Sequence, residues 1–171
     1  IAPLCVALWR CVEAKHLSTI KLKSPILDIG CGWGEFAEAF GEKIDMGVDT
    51  AARDLYVAAK GKMYKNLILA DARDLPFADN SYGSIISIST FEHISNTKLL
   101  LKEMYRVLKP NGIIAITMET EEVDQNTFYR PMLKKIGLSF LSNLLTNAYN
   151  SYFHRHTLPS KEEWIRGFKE A

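Results

Sequence analysis

The stretch Ile26-Leu27-Asp28-Ile29-Gly30-Cys31-Gly32-Trp33-Gly34-Glu35-Phe36 joins an apolar run to a glycine-rich turn and then to a helical segment. The apolar run has the composition of a parallel strand that is covered on both faces of a sheet. Three glycines at alternate positions allow the backbone to turn sharply and to approach a ligand closely. A helix predicted over residues 33–42 would direct its unpaired N–H groups toward that turn. The stretch therefore predicts a strand–turn–helix unit with a ligand beside the glycines.

Glycine spacing and one acidic residue separate this turn from the turn of dinucleotide-binding domains. Those domains use the pattern G-x-G-x-x-G, whereas this chain has Gly30-x-Gly32-x-Gly34. Asp28 lies two residues before the first glycine, where a carboxylate would repel a phosphate and attract an ammonium or sulfonium group. An NAD(P)-dependent oxidoreductase is therefore disfavoured, although it stays open as an alternative.

The segments that follow alternate between strand and helix patterns. Further strands are predicted over residues 44–49, 66–71, 82–89 and 113–118. Helices are predicted over 51–60 and from the cap at Asn96-Thr97 to the stop signal at 109–112. This alternation predicts an α/β fold in which a doubly wound, mostly parallel sheet carries helices on both faces.

A helix over residues 3–17 is predicted to precede the sheet, because Pro3 suits the first turn of a helix. The apolar residues that share one face of this helix are Leu4, Leu8, Cys11 and Val12. We expect this face to pack against the domain in a structural role, although such helices can also help to close a ligand site.

Asp49 ends the second predicted strand, 19 positions after Gly30. This separation is close to the ~20 residues at which an acid binds ribose hydroxyls in nucleotide-binding βαβ units. The alternative is that Asp49 caps the helix over 51–60, because aspartate is a favourable N-cap residue. The two roles are compatible, and we favour the ribose contact.

Motifs at four strand ends resemble those of class I S-adenosylmethionine (SAM)-dependent methyltransferases, and the set is close to the type 11 small-molecule methyltransferases. The resemblance covers residues 25–118 and rests on the D-x-G-x-G-x-G stretch, Asp49, the segment 71–77 (DARDLPF) and the run 106–114 (RVLKPNGII). It implies a Rossmann-like methyltransferase that uses SAM and releases S-adenosylhomocysteine (SAH). The alternative is a catalytically silent domain of this fold that binds SAM or SAH without turnover.

The resemblance also implies roles for residues at the strand ends. The carboxylate of Asp71 would accept a hydrogen bond from the exocyclic amine of adenine, and the backbone N–H of Ala72 would donate to the ring. A polar turn without ligand contact is the alternative for this segment. The cofactor-binding residues expected from the motifs and strand ends are Asp28, Gly30, Cys31, Gly32, Gly34, Asp49, Thr50, Asp71, Ala72, Ile88 and Ser89.

His93 is the candidate catalytic residue, because it follows the fourth strand where the transferred methyl group is expected to lie. A general base matters only if the acceptor must lose a proton early in the reaction. The tripeptide Phe91-Glu92-His93 resembles one in cyclopropane fatty acid synthases, a lipid-modifying branch of the same fold. The alternative is a packed histidine that begins a helix.

The C-terminal third lacks a shared motif that would identify the acceptor. We predict a single domain over residues 1–171: an N-terminal helix and linker (1–24), a cofactor-binding core (25–118), a helical lid (119–158) and a helix (159–171). Apolar and aromatic residues at helical spacing in the lid are compatible with a hydrophobic or lipid-linked small-molecule acceptor, and core packing is the alternative. His154 and His156 lie near Glu162 and Glu163, but no complete ligand set is evident and no metal is predicted.

The fifth predicted strand would lack a neighbour on one side. In class I methyltransferases a C-terminal β-hairpin pairs beside this strand, and residues 119–171 contain no two alternating runs that could form one. An apolar, uncharged edge is an aggregation hazard that native proteins normally cover. We therefore expect a truncated domain whose natural chain continues beyond Ala171, or a second chain, as in a homo-oligomer, that covers the edge of strand 113–118. The absence of an initiator Met before Ile1 likewise suggests further residues upstream.

Composition supports an ordinary globular domain. The 171 residues are 47% hydrophobic and 24% charged, with a formal net charge of +1. This charge gives no electrostatic argument for a nucleic-acid partner, and no apolar run has the length of a membrane span. Three cysteines without metal-ligand spacing are typical of free thiols in a reducing compartment, so we predict a cytoplasmic enzyme.

Overall fold

A computed structural model of the chain describes residues 4–118 and 161–170, together with the single positions 135, 137, 140 and 144. The chain divides into two compact units, residues 1–118 and 119–171. The predicted lid (119–158) and the two histidines at 154 and 156 lie almost wholly outside the described residues. The role of the lid and the single-domain organisation stay predictions.

The first unit alternates strands and helices along the chain. Its elements are α1 (Leu4–Leu17), β1 (Ile26–Ile29), α2 (Glu35–Phe40), β2 (Ile44–Asp49), α3 (Ala52–Gly61), β3 (Tyr64–Leu69), β4 (Tyr82–Ile88), a 3₁₀ turn (Phe91–His93), α4 (Thr97–Val107) and β5 (Leu108–Thr117). In the second unit, α5 (Lys161–Glu170) agrees with the helix predicted at the end of the chain. No helix in the described ranges is long and apolar enough to cross a membrane.

The five strands form one parallel sheet with the order β3-β2-β1-β4-β5. β1 and β4 are buried at every position, as the apolar run 26–29 and the isoleucines of β4 predict. The strand order reverses between β1 and β4, and open α/β sheets bind ligands in the crevice at such a switch point. The predicted Rossmann-like α/β fold is therefore confirmed, and its topology places a crevice beside the glycine turn.

Several element boundaries differ from the predicted ones. α2 covers residues 35–40 rather than 33–42, because Gly34 and Gly41 adopt left-handed φ angles of 82° and 77° at its two ends. β3 starts and ends two residues earlier than predicted, so Asp71 lies in the turn after the strand. β5 begins at Leu108, directly after α4, and reaches its regular register with β4 only after a shift between Tyr82 and Ser84. Asn96 caps α4 as predicted, with its side chain accepting from the N–H of Leu99.

The predicted inward face of α1 is wrong. Leu8 and Val12 are 60% and 56% exposed, whereas Glu13, Ala14 and Leu17 are buried. The Glu13 carboxylate accepts hydrogen bonds from Ser89, directly after β4, and from Thr117, at the end of β5, and these bonds turn a different face inward. Apolar periodicity could not reveal this orientation, because it counts a buried carboxylate as a solvent-facing residue.

The turn after β3 is held by a charged pair on α4. The guanidinium of Arg106 donates to the carbonyl oxygens of Leu75 (2.9 Å) and Phe77 (2.7 Å) and to the Glu103 carboxylate. The same carboxylate accepts from the N–H of Leu75 at 2.9 Å. These bonds fix the segment that follows Asp71 against α4. Within the described residues, β5 pairs with β4 alone.

Candidate cofactor-binding site

A cavity of about 500 Å³ opens at the carboxyl ends of the strands. Of the cofactor-binding residues predicted from the sequence, all but Gly34 line it, and so does His93. Gly34 is the N-cap residue of α2 and does not line the cavity. Parallel strands bring their carboxyl ends to one edge of the sheet, which is why motifs far apart in the chain meet here. The predicted binding residues are therefore neighbours around one cavity.

Gly30 and Gly32 of the glycine turn line the cavity, and glycine is needed at the two positions for different reasons. Gly30 has a φ of 74°, and a Cβ built there would overlap the side chain of Thr90. Gly32 has a φ of 50°, and a Cβ there would meet nothing within 4 Å. The first glycine is thus required by packing within the protein, whereas the second leaves open space on the cavity side where a ligand can approach the backbone.

Asp49 connects the glycine turn to the next element. Its Oδ2 accepts from the N–H of Gly32 at 2.8 Å, and its Oδ1 accepts from the N–H of Ala51 at 2.9 Å. The N-cap of α3 is Ala51, so Asp49 does not cap this helix in the way the alternative suggested. A carboxylate has about four acceptor positions, so each oxygen can still accept a hydrogen bond from a ligand.

Asp28 is a buried carboxyl group beneath the turn, 2% exposed. Its Oδ2 accepts a hydrogen bond of 2.7 Å from the hydroxyl of Tyr64. Burial raises the pKa of Asp28 to about 7, although the Tyr64 hydrogen bond and the nearby Arg10 act in the opposite direction. The Asp28 carboxyl group therefore changes its charge near neutral pH.

Burial also raises the pKa of the Cys31 thiol far above its ordinary value, so this cysteine is an unreactive part of the cavity wall.

Asp71 is bound by a neighbouring arginine. The guanidinium of Arg73 donates to both carboxylate oxygens, the shortest distance being 2.6 Å from Nη2 to Oδ2, and its backbone N–H donates to Oδ1. Arg73 also donates to Oγ of Ser95, another residue that lines the cavity, at 2.9 Å. The hydrogen bonds from Arg73 lower the pKa of Asp71 to about 2. Asp71 is thus an anion at neutral pH. Arg73 was not predicted from the sequence to be part of the site.

The helix α1 contributes two further residues that were not predicted from the sequence. Arg10 lines the cavity, and Glu13 is only 7% exposed. The Glu13 carboxylate accepts from Arg10 Nη1 (2.7 Å), Ser89 Oγ (2.8 Å) and Thr117 Oγ1 (2.7 Å). An Arg–Glu pair at i, i+3 is a weak signal, because such pairs are common on exposed helix surfaces.

The charge of the cavity wall favours a cationic ligand. Two arginines, Arg10 and Arg73, face a larger set of acidic residues: Asp28, Glu35, Asp49, Asp54 and Asp71. Clefts lined by one sign of charge attract ligands of the opposite sign. A diphosphate-bearing dinucleotide would be repelled here, whereas a sulfonium compound with an amino group would be attracted.

Comparison with known proteins gives the family. Residues 27–116 match the family described as methyltransferase domain. The chain belongs to this family. The predicted class I SAM-dependent methyltransferase is confirmed at this level, and the aligned part of the methyltransferase domain runs from β1 to the end of β5.

Relatives of the methyltransferase domain carry different names. The mouse protein named Probable tRNA methyltransferase 9B is 28% identical over 91% of this chain, which spans 34% of that protein. A demethylmenaquinone methyltransferase of Staphylococcus aureus is also 28% identical, over 95% of this chain and 73% of its own length. A SAM-dependent methyltransferase structure from Thermotoga maritima has a TM-score of 0.72 at 21% identity, covering 97% of this chain and 72% of the other. The last likeness establishes the fold alone.

Proposed function

We propose that this chain transfers a methyl group from SAM to a small-molecule acceptor. The observation that carries the proposal is the acid-lined cavity at the strand ends, where Gly32 leaves open space beside the carboxylate of Asp49. SAM supplies a methyl group on a positively charged sulfur, which is an activated leaving group. The protein therefore needs mainly to hold donor and acceptor in line and to exclude water.

The donor would lie along the strand ends in the order of the sheet. Asp49, the last residue of β2, accepts from the two ribose hydroxyls, and the segment of Asp71 and Ala72, after β3, holds the adenine. Asp28, before the glycines, contributes the negative charge that a cationic ligand favours. For Asp71 to accept from adenine, its carboxylate must share its acceptor positions with Arg73, which already binds both oxygens.

The acceptor is proposed to be a small hydrophobic molecule. The name of the S. aureus relative, demethylmenaquinone methyltransferase, is compatible with a lipid-linked acceptor for this chain too. The name of the mouse relative points instead to tRNA, but the net charge of +1 and the acidic cavity give no support for a polyanion.

Turnover measured with a demethylated quinone and with tRNA would separate the two classes. Cofactor binding without turnover on any acceptor would favour the silent binding domain. A cytoplasmic location belongs to the same proposal.

Asp49→Ala is expected to weaken SAH binding by about 1.5–3 kcal/mol, the range for hydrogen bonds to a charged group. The substitution would remove the acceptor for the ribose hydroxyls, and it would also leave the N–H of Gly32 without its hydrogen bond to Asp49. Titration calorimetry with SAH, SAM and NAD measures the effect. Asp79→Asn, an exposed carboxylate outside the cavity wall, is the control and should bind like the wild type. Unchanged SAH affinity in Asp49→Ala, or tighter binding of NAD than of SAM by the wild type, would contradict the proposed function.

His93→Gln is expected to lower kcat by about 10²–10⁴-fold if the acceptor must lose a proton, which is the usual contribution of a general base. The exposed side chain of His93 lines the cavity, so SAH affinity should change little. Steady-state kinetics with whichever of the two acceptors, the demethylated quinone or tRNA, supports turnover, together with SAH titration, tests this role. A kcat equal to that of the wild type would show that His93 only shapes the wall.

A further inference from the structure

The helix α1 presents an apolar side to solvent. Leu8, Trp9 and Val12 are 60%, 51% and 56% exposed. Residues at i, i+1 and i+4 lie on one side of a helix, and we call this side the outer face of α1. Single exposed apolar residues are ordinary, whereas neighbouring large ones mark an interaction surface.

Hydrogen bonds on the opposite side of α1 fix the outer face toward solvent. The buried carboxylate of Glu13 accepts from Arg10, Ser89 and Thr117, and Leu17 is buried on the same side. Rotation of the helix to bury its apolar residues would break these three hydrogen bonds, and hydrogen bonds to a charged group are the costliest to lose. The exposure of the outer face is therefore a fixed feature of the fold.

The ionisable side chains around the outer face are basic. Lys15 and His16 are exposed on the next turn of the helix, and Lys21 and Lys23 are exposed shortly after its end. The single acid within residues 7–24 is the buried carboxylate described above. Tryptophan and aliphatic side chains beside lysines are typical of helices that lie at the surface of an anionic bilayer, where the apolar groups enter the boundary between headgroups and acyl chains.

The helix that carries the outer face also borders the cavity. Arg10, the residue after Trp9, lines the cavity. Trp33 lines it as well and is 50% exposed. A bilayer in contact with the outer face would therefore adjoin the cavity, and a hydrophobic acceptor could pass from one to the other without the cost of exposing its apolar surface to water.

We propose that the outer face of α1 docks on a membrane surface that contains anionic lipids and that this contact delivers the hydrophobic acceptor to the cavity. The inference rests on the proposed function, because it names the phase from which that acceptor is taken. Charge complementarity favours a lipid surface over a second copy of this chain, since a copy would present the same basic residues and no acid from this segment to pair with them.

Cosedimentation of the full chain with vesicles of equal parts phosphatidylcholine and phosphatidylglycerol measures the partition coefficient. Trp9→Gln and Leu8→Gln should each lower it by about 5- to 20-fold, because each loses the burial of an exposed apolar side chain. Lys15→Gln should lower it by about five-fold on the mixed vesicles and have no effect with pure phosphatidylcholine. Tyr105→Gln replaces an aromatic residue of α4 that is 54% exposed. It is the matched control and should bind like the wild type.

Thermal unfolding and analytical ultracentrifugation test the other ways of covering the outer face. Trp9→Gln should unfold at the temperature of the wild type, because the replaced side chain faces solvent. A clearly lower unfolding temperature would assign the face to packing within the chain. A wild-type dimer that Trp9→Gln dissociates would assign it to a contact between copies. Either result, or unchanged vesicle binding by Trp9→Gln, would overturn the inference.

Turnover separates the failure of this inference from the failure of the proposed function. With a demethylated quinone embedded in the mixed vesicles, Trp9→Gln should lose activity in proportion to its loss of binding. With a short-chain, water-soluble demethylated quinone it should match the wild type. Turnover of the soluble quinone by a wild type that binds no vesicles would overturn the inference and leave the proposed function standing. Vesicle binding that Trp9→Gln weakens, in a protein that binds no SAH, would support the docking surface and contradict the proposed function alone.

Discussion

Asp28→Asn is expected to raise the free energy of unfolding more at pH 8 than at pH 5, by a difference of roughly 2–3 kcal/mol. The reason is that burial raises the pKa of Asp28 from 3.8 to about 7 in the folded protein. Between these two values the folded state holds a proton that the unfolded state has released. The stability of the wild type therefore falls as the pH rises from about 4 to about 7, and stays low above pH 7, where a buried charge is present.

Asparagine carries no titrating proton, so the variant should lack this decline. Urea unfolding at a series of pH values measures the difference between the two proteins, and a carboxyl-carbon NMR titration reports the pKa directly. Tyr64→Phe provides a matched comparison, because it removes the hydrogen bond that lowers the pKa of Asp28. In that variant the decline in stability should extend to higher pH. Parallel pH profiles for the wild type and Asp28→Asn would show that Asp28 is ionised in the folded protein throughout this range.

The cost of burying Asp28 is understandable if a cation binds nearby. Proteins commonly lose stability at functional sites in exchange for ligand affinity, and a buried carboxylate is offset once an opposite charge is close. Under the proposed function, the affinity for SAM should rise as the pH increases through 7 and Asp28 becomes ionised. Asp28→Asn should abolish this rise.

Much of this site follows from local sequence. The glycine turn and Asp49 could be placed because a buried strand, a turn and an acid at a fixed separation determine neighbouring positions in a βαβ unit. Parallel pairing then brings Asp28, Asp49 and Asp71 to one edge of the sheet, so the predicted residues line a single cavity. The element boundaries were less accurate, since the glycine φ angles that end α2 depend on the folded backbone.

The rest of the site depends on contacts between distant residues. Glu13 binds Ser89 and Thr117, which lie 76 and 104 positions away in the chain, and no local pattern predicts such a pairing. The same bonds explain why the apolar face of α1 was misplaced. Arg73 was missed for a related reason, because a charged residue in a turn looks the same in sequence whether it binds a neighbouring acid or faces solvent.

Gly30→Ala tests the packing of the turn and is expected to destabilise the protein by about 3 kcal/mol or more, with loss of SAH binding. Two effects add: a non-glycine residue in a left-handed conformation costs about 1–2 kcal/mol, and overpacking typically costs about 1–3 kcal/mol. Gly41→Ala separates them, because Gly41 has a similar φ of 77° but a Cβ there meets nothing within 4 Å. The control should therefore show only the conformational cost in urea unfolding and should bind SAH normally.

The clash can be isolated further by changing its other partner. A Cβ at Gly30 would overlap Cγ2 of Thr90 and lie 2.8 Å from Thr90 Cβ, so Thr90→Ala removes the nearest atoms and leaves part of the crowding. The double variant Gly30→Ala/Thr90→Ala should be more stable than the sum of the single effects predicts, by at least about 1 kcal/mol, as residues in direct contact usually couple. Additive effects, or equal losses in Gly30→Ala and Gly41→Ala, would contradict the packing argument. In that case the backbone conformation alone, and not the side chain of Thr90, would be the reason for glycine at the start of the turn.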